Sequence, residues 1–191
     1  MSILLPTSIV GIGGSAGGLN AYKVFLGALS ARTGMSFVIV SHILPTAISQ
    51  LAAILTGHTQ MPVMVATTAM QLQANHVYVC PPNADLYIED GAFRVVIPRL
   101  KRNVQVDIFF ISLAKAMGKQ AIGIVFSGYD GDGAEGCRAI RAKGGTTFAQ
   151  DTSAEVSGMP LSAQATGCVD FVLAPEAIAV WLQKSANRFV A

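Results

Sequence analysis

Apolar and polar positions in this chain come in blocks. Ile9 to Ile12 and Phe37 to Val40 are unbroken apolar runs, the pattern of strands covered on both faces of a parallel sheet. Leu19 to Leu29, and then Ile48 to Leu55, carry apolar residues at helical spacing. The same scheme resumes later in the chain. Ala121 to Phe126, Thr146 to Ala149 and Cys168 to Leu173 read as strands, Val106 to Met117 and Ala134 to Ala142 as helices. Pro175 stands where a final helix begins. This alternation predicts an α/β fold: three layers, doubly wound, around a mostly parallel sheet.

The middle of the chain departs from the scheme. Residues 75–97 hold three short strand-like pieces, broken at Pro81-Pro82-Asn83 and at Glu89-Asp90-Gly91. They predict a hairpin or meander with an antiparallel edge, inserted between two βα halves. Arg99 to Asn103 is a short basic connection to the next helix. No repeat, low-complexity stretch or boundary interrupts residues 1–191, so a single domain is expected.

Composition removes several functions. With 52% hydrophobic and 13% charged residues the chain is globular, not disordered. A net charge of +2 does not call for nucleic acid or a membrane surface. No apolar run approaches the roughly 20 residues of a membrane helix, and Met1 to Thr7 lack a signal peptide's charged start. Cys80, Cys137 and Cys168 form no CxxC and suit a reducing cytoplasm as small core residues. His42, His58 and His76 show no ligand spacing. No metal and no organic cofactor is expected.

Residues 8–20, SIVGIGGSAGGLN, hold the candidate chemistry. Gly11-Ile12-Gly13-Gly14-Ser15-Ala16 fits the permissive dinucleotide fingerprint. That fingerprint wants a carboxylate after the second strand, but Val40 is followed by Ser41-His42, and the first acidic residue of the chain is Asp85. Gly13-Gly14-Ser15-Ala16-Gly17 also fits G-x-S-x-G, in which a sharp strand-to-helix turn exposes a serine hydroxyl. On this reading the glycines serve to expose Ser15. Open parallel sheets gather functional groups beyond the carboxyl ends of their strands. Ser15 lies beyond one such end, His42 beyond a second, and Asp130 and Asp132 beyond a third. These are the groups of serine nucleophile catalysis. Asp130 and Asp132 are equally placed to cap the helix that follows them. His58 reads as a surface residue, His76 as structural, and Asp151 and Glu155 as solvated turn residues.

The chain resembles the catalytic domain of the CheB protein-glutamate methylesterases of bacterial chemotaxis. The matching pieces occur in order: VGIGGSAGG, FVIVSHILP, NHVYVCPPN, VDIFFISLAKAMG, AIGIVFSGYDGDGAEG, FAQD, SGMP and TGCVDFVL. The resemblance implies a doubly wound sheet with an antiparallel hairpin. It also implies hydrolysis of glutamyl methyl esters on the cytoplasmic helices of methylated chemoreceptors, and in some members deamidation of glutamine. By position it assigns Ser15 as nucleophile, His42 as base and Asp132 as acid, since the family's acid directly precedes a glycine and an alanine-rich helix start. The chain departs from the family in having Ala16 where threonine is frequent. It also has Tyr129 and Asp130 within a segment that often reads S/T-G-M-G-x-D-G. Many members carry an N-terminal receiver domain, whereas a single catalytic domain is expected here. ARTGMSFVIVSHILPT is most similar to the version fused to the partner methyltransferase. A weakly catalytic binding module of a larger regulatory protein, or an esterase for another substrate, are the competing readings.

Overall fold

The computed structural model describes residues 4–42 and 50–188. Strand β1 (Ile9–Gly14) leads through α1 (Gly18–Gly27) to β2 (Ser36–Ser41), α2 (Leu51–Thr56), β3 (Val63–Val65) and β4 (His76–Val79). A hairpin of β5 (Asp85–Glu89) and β6 (Ala92–Val96) follows, then α3 (Gln105–Met117). The chain ends with β7 (Ala121–Val125), α4 (Ala134–Ala142), β8 (Thr146–Gln150), α5 (Gly158–Ala165), β9 (Phe171–Leu173) and α6 (Pro175–Arg188). Seven strands form one sheet in the order β3-β4-β2-β1-β7-β8-β9, and every pairing in it is parallel. The chain starts near the centre, winds outward through β2 and β4, then crosses back to β7 beside β1. The resulting crevice opens at the carboxyl ends of β1, β2 and β7.

The sequence expectation of a three-layer α/β architecture holds, with local differences. The first piece of the expected meander, β4, pairs in parallel with β2 inside the main sheet. Among the described strands β5 and β6 pair antiparallel in a separate two-stranded sheet, with Gln71 bridging antiparallel to Ala92 of β6. Residues 76–79 are too short for alternation to distinguish an edge hairpin from a buried strand. β3 and α5 are additional elements to which the sequence pattern assigned no strand or helix. Of the helix expected from Ile48, residues 48 and 49 lie outside the described residues.

Each face of the sheet has its own core. Val10, Ile12, Phe37, Ile39 and Phe126 face Tyr22 and Phe25 of α1 and Ile178 and Leu182 of α6. Val38, Val40 and Val125 face Val106, Phe109, Phe110 and Leu113 of α3, together with Ile140 of α4 and Met159 of α5. Cys80 and Cys137 lie in this second core, where burial pushes their thiols up to about 12. Two glycines of β1 decide how close α3 comes. A methyl group on Gly11 would strike Phe110 and Leu113, and one on Gly13 would strike Val106. With hydrogen there, the first turn of α3 sits directly against the end of β1.

Gly13→Ala is therefore expected to lower stability by about 2 kcal/mol through overpacking. The denaturant midpoint should fall with its m-value unchanged.

Candidate active site

β1 ends at Gly14, and the chain turns through Ser15, Ala16 and Gly17 into α1. The turn requires a left-handed residue, which Gly17 supplies at φ 74°. The N–H of Ser15 donates to the carbonyl of Ser127 at 2.8 Å, and the Ser15 carbonyl accepts the N–H of Gly18 at 3.0 Å. Ser15 is thereby held between the ends of β1 and β7. Its hydroxyl makes no hydrogen bond among the described residues.

β2 runs beside β1 with Ser41 opposite Gly14. His42 is the next residue, and its N–H donates to the Gly14 carbonyl at 3.3 Å. The parallel register therefore sets His42 beside Ser15 on the neighbouring strand. The side chain of His42 is 9% exposed.

Asp132 comes from the loop after β7 and is fully buried at its carboxylate. Its Oδ2 lies 2.7 Å from Nε2 of His42 and accepts the N–H of Val106 at 2.9 Å. Its Oδ1 accepts the N–H of Asp107 at 2.8 Å. Both N–H groups belong to the first turn of α3, so the carboxylate sits on the positive end of a 13-residue helix. A carboxylate that accepts on both oxygens is acceptor-only, so Nε2 of His42 carries the proton in this contact. Nδ1 is then the ring nitrogen free to receive one. Asp130, two residues upstream, places Oδ2 3.4 Å from Nδ1 and accepts the N–H of Asp132 on Oδ1 at 3.1 Å.

The sequence alternative that Asp132 caps its own following helix does not describe its contacts. The carboxyl of Asp107 takes that role, accepting the N–H groups of Gly133 and Gly136 at 2.9 and 2.7 Å on α4. Asp132 and Asp107 thus hold each other's helices. Burial, opposed by the Gly136 hydrogen bond and reinforced by the charge of Asp132, pushes the Asp107 carboxyl up to about 6. Nothing in the local sequence marks this pair, because the partners lie 25 and 26 residues apart.

Ser127 is the other residue that sequence reasoning passed over. It is completely buried, and its hydroxyl lies 2.7 Å from the Ala16 carbonyl and accepts the Val156 N–H at 2.9 Å. Met159 packs on Gly128, whose carbonyl accepts the Met159 N–H at 2.9 Å. The SGMP segment is therefore the support beneath residues 127–129. The N–H groups of Ala16, next to Ser15, and of Tyr129, next to Gly128, donate to no acceptor among the described residues. His58 is exposed, and His76 bonds through Nδ1 to the Ala74 carbonyl at 2.8 Å. Neither bonds to a member of this constellation among the described residues. Among the described residues no group of three or more His, Cys, Asp or Glu could hold a metal ion. No helix there is long and apolar enough to cross a membrane.

Chemically, the site gathers a serine, a histidine and a buried carboxylate on one sheet rim, with a free N–H at Ala16 just before α1. Comparison with known proteins agrees in family and fold. A family model described as CheB methylesterase matches residues 10–182. The protein-glutamate methylesterase/protein-glutamine glutaminase 2 of Burkholderia lata is 36% identical over 190 residues, covering 96% of this chain and 55% of that protein. A putative protein-glutamate methylesterase/protein-glutamine glutaminase of Leptospira interrogans is 34% identical, covering 88% of this chain and 89% of that one. An uncharacterized 104.1 kDa protein of Rhodobacter capsulatus is 38% identical over 135 residues, covering 69% of this chain and 14% of that protein. The chain thus spans about half the length, or less, of several curated relatives it matches. The crystal structure of the Thermotoga maritima CheB methylesterase catalytic domain superposes with a TM-score of 0.85 at 25% identity. It covers 93% of this chain and 97% of that one.

The raised Asp107 carboxyl has a pH signature of definite sign. Between 3.8, its ordinary value, and about 6, the native state binds more protons than the unfolded chain. Its contribution to stability is complete below that window and is lost as pH rises through about 6. Asp107→Asn keeps the acceptor oxygen and removes the titration. Thermal midpoints measured across this range should fall less steeply with rising pH in the variant than in the parent.

Proposed function

The chain belongs to the CheB methylesterase family, and from that membership we propose that it is a cytoplasmic serine hydrolase removing methyl esters from glutamate side chains of chemoreceptors. Ser15 is the nucleophile, His42 the base and Asp132 the acid that orients it. One observation carries the assignment. The parallel register stands Ser15 beside a histidine whose Nε2 lies 2.7 Å from a buried carboxylate.

The reaction proceeds in two acyl-transfer steps. Ser15 Oγ attacks the ester carbonyl as its proton passes to Nδ1 of His42. The imidazolium so formed is stabilised through Nε2 by Asp132, which stays ionised on the N-terminus of α3. The Ala16 and Tyr129 N–H groups receive the oxyanion, and losing one such donor costs about 3–4 kcal/mol. His42 returns the proton to departing methoxide, releasing methanol. Water then attacks the acyl-enzyme by the same proton path, freeing the glutamate carboxylate and regenerating Ser15. Glutamine deamidation, which the relatives' names include, needs only ammonia in place of methanol as the leaving group. Residues 1–191 act as one catalytic unit alongside a methyltransferase or other regulatory domain, fused or separate.

Ser15→Ala should abolish both methanol release from methylated receptor and labelling by a serine-directed phosphonate. Persistence of either overturns the nucleophile. Asp132→Asn should lower kcat by roughly 10³- to 10⁴-fold, far more than Asp130→Asn, with KM little changed. The opposite ranking would reverse the choice of acid.

A further inference from the structure

The connection between β6 and α3 has features that the catalytic constellation does not use. Arg99, Lys101 and Arg102 place three of the chain's 13 Lys and Arg residues within four positions. None has a carboxylate partner among the described residues, whereas Arg94, Arg138 and Arg141 each do. Two large apolar side chains stand with them in water, Ile97 at 61% and Leu100 at 74% exposure. Such a mixed basic and apolar patch is unfavourable to leave bare unless something covers it.

The connection is also built rather than loose. Asp85 is completely buried, and its carboxylate accepts the Leu100 N–H at 2.8 Å and the Gln105 side-chain amide at 3.0 Å. The same amide donates to the Lys101 carbonyl at 2.6 Å, and the Arg99 N–H donates to the Asn83 carbonyl at 2.8 Å. A buried charge therefore organises the backbone that presents the exposed ones. Its place is the rim of the active crevice. Asn83 lies just beyond the carboxyl end of β4, the neighbour of β2. Gln105 directly precedes Val106, whose N–H holds Asp132.

We infer that residues 97–102 are a docking surface for an acidic, amphipathic helix of the protein substrate, engaging it beside the glutamyl ester presented to Ser15. The inference rests on the methylesterase reading and adds to it the surface that selects a macromolecular substrate. Charge complementarity points to that occupant. A segment that carries glutamyl esters carries free glutamates whenever those esters are hydrolysed, and a helix with one apolar face can cover Ile97 and Leu100 while its carboxylates meet the three cations. Charges at an interface rim govern encounter and salt dependence more than chemistry.

The test compares the parent chain with a Lys101→Glu, Arg102→Glu double variant. KM for methanol release from a methylated receptor cytoplasmic domain should rise about tenfold, with kcat unchanged. Turnover of p-nitrophenyl acetate should be equal in both proteins. Added salt should raise KM for the receptor steeply in the parent and weakly in the variant. An unchanged receptor KM overturns the inference, as does an equal loss of p-nitrophenyl acetate turnover. So does parent-only sedimentation with anionic vesicles or RNA while the receptor KM holds. Should the parent hydrolyse p-nitrophenyl acetate yet release no methanol from receptor, the substrate reading fails. Direct binding of a glutamate-rich helical peptide, tight in the parent and weak in the variant, then decides the surface separately.

Discussion

A carboxylate removed from water needs donors for both oxygens, and the arrangement around Asp132 follows from that requirement. The first turn of α3 provides two N–H groups, and His42 provides the third donor. The helix end favours the charge while the imidazole is fixed by it. α3 can lie there only because Gly11 and Gly13 leave no side chain between it and β1. Asp107 returns the grip by holding the first turn of α4. The joint that packs two helices on the sheet is thus also the joint that orients the histidine.

Ser15 is positioned by a second set of bonds across the same rim. Ser127 receives the Ser15 N–H on its carbonyl and ties Ala16 and Val156 through its hydroxyl. Met159 and the start of α5 brace the segment from below. In the proposed reaction, donors held this way need no reorganisation as charge develops on the ester oxygen. Ala16, Tyr129 and Asp130 contribute no side-chain donor to the Asp132 carboxylate, whose bonds come from His42, Val106 and Asp107. Asp130 has the most direct consequence, since it sets a second carboxylate 3.4 Å from the ring nitrogen facing away from Asp132.

Local pattern was enough for the α/β alternation and for placing Ser15 and His42 beyond strand ends. An apolar run of four residues marks a covered strand, and whatever polar residue follows it must emerge at the rim. The glycines between residues 11 and 18 read as serving the serine, yet only Gly17 among them adopts a left-handed conformation. Gly11 and Gly13 instead clear a path for α3. Residues 75–97 read as one hairpin or meander, although β4 joins the main sheet and leaves a two-stranded hairpin behind. Strand partners depend on packing across the whole sheet, which a four-residue segment does not record.

What the amino-acid order determined by itself, then, is which residues reach the carboxyl rim, because strand, turn and helix are set by neighbours a few positions apart. Which acid meets which nitrogen of His42 was decided only in three dimensions. Asp132 and His42 are 90 residues apart, and their contact exists because α3 packs where β1 has no side chains. The pairing of Asp107 with α4 and the buried Asp85 beneath a basic loop have the same origin. Each is a polar group taken out of water, and its partner is set by what the folded core brings within reach.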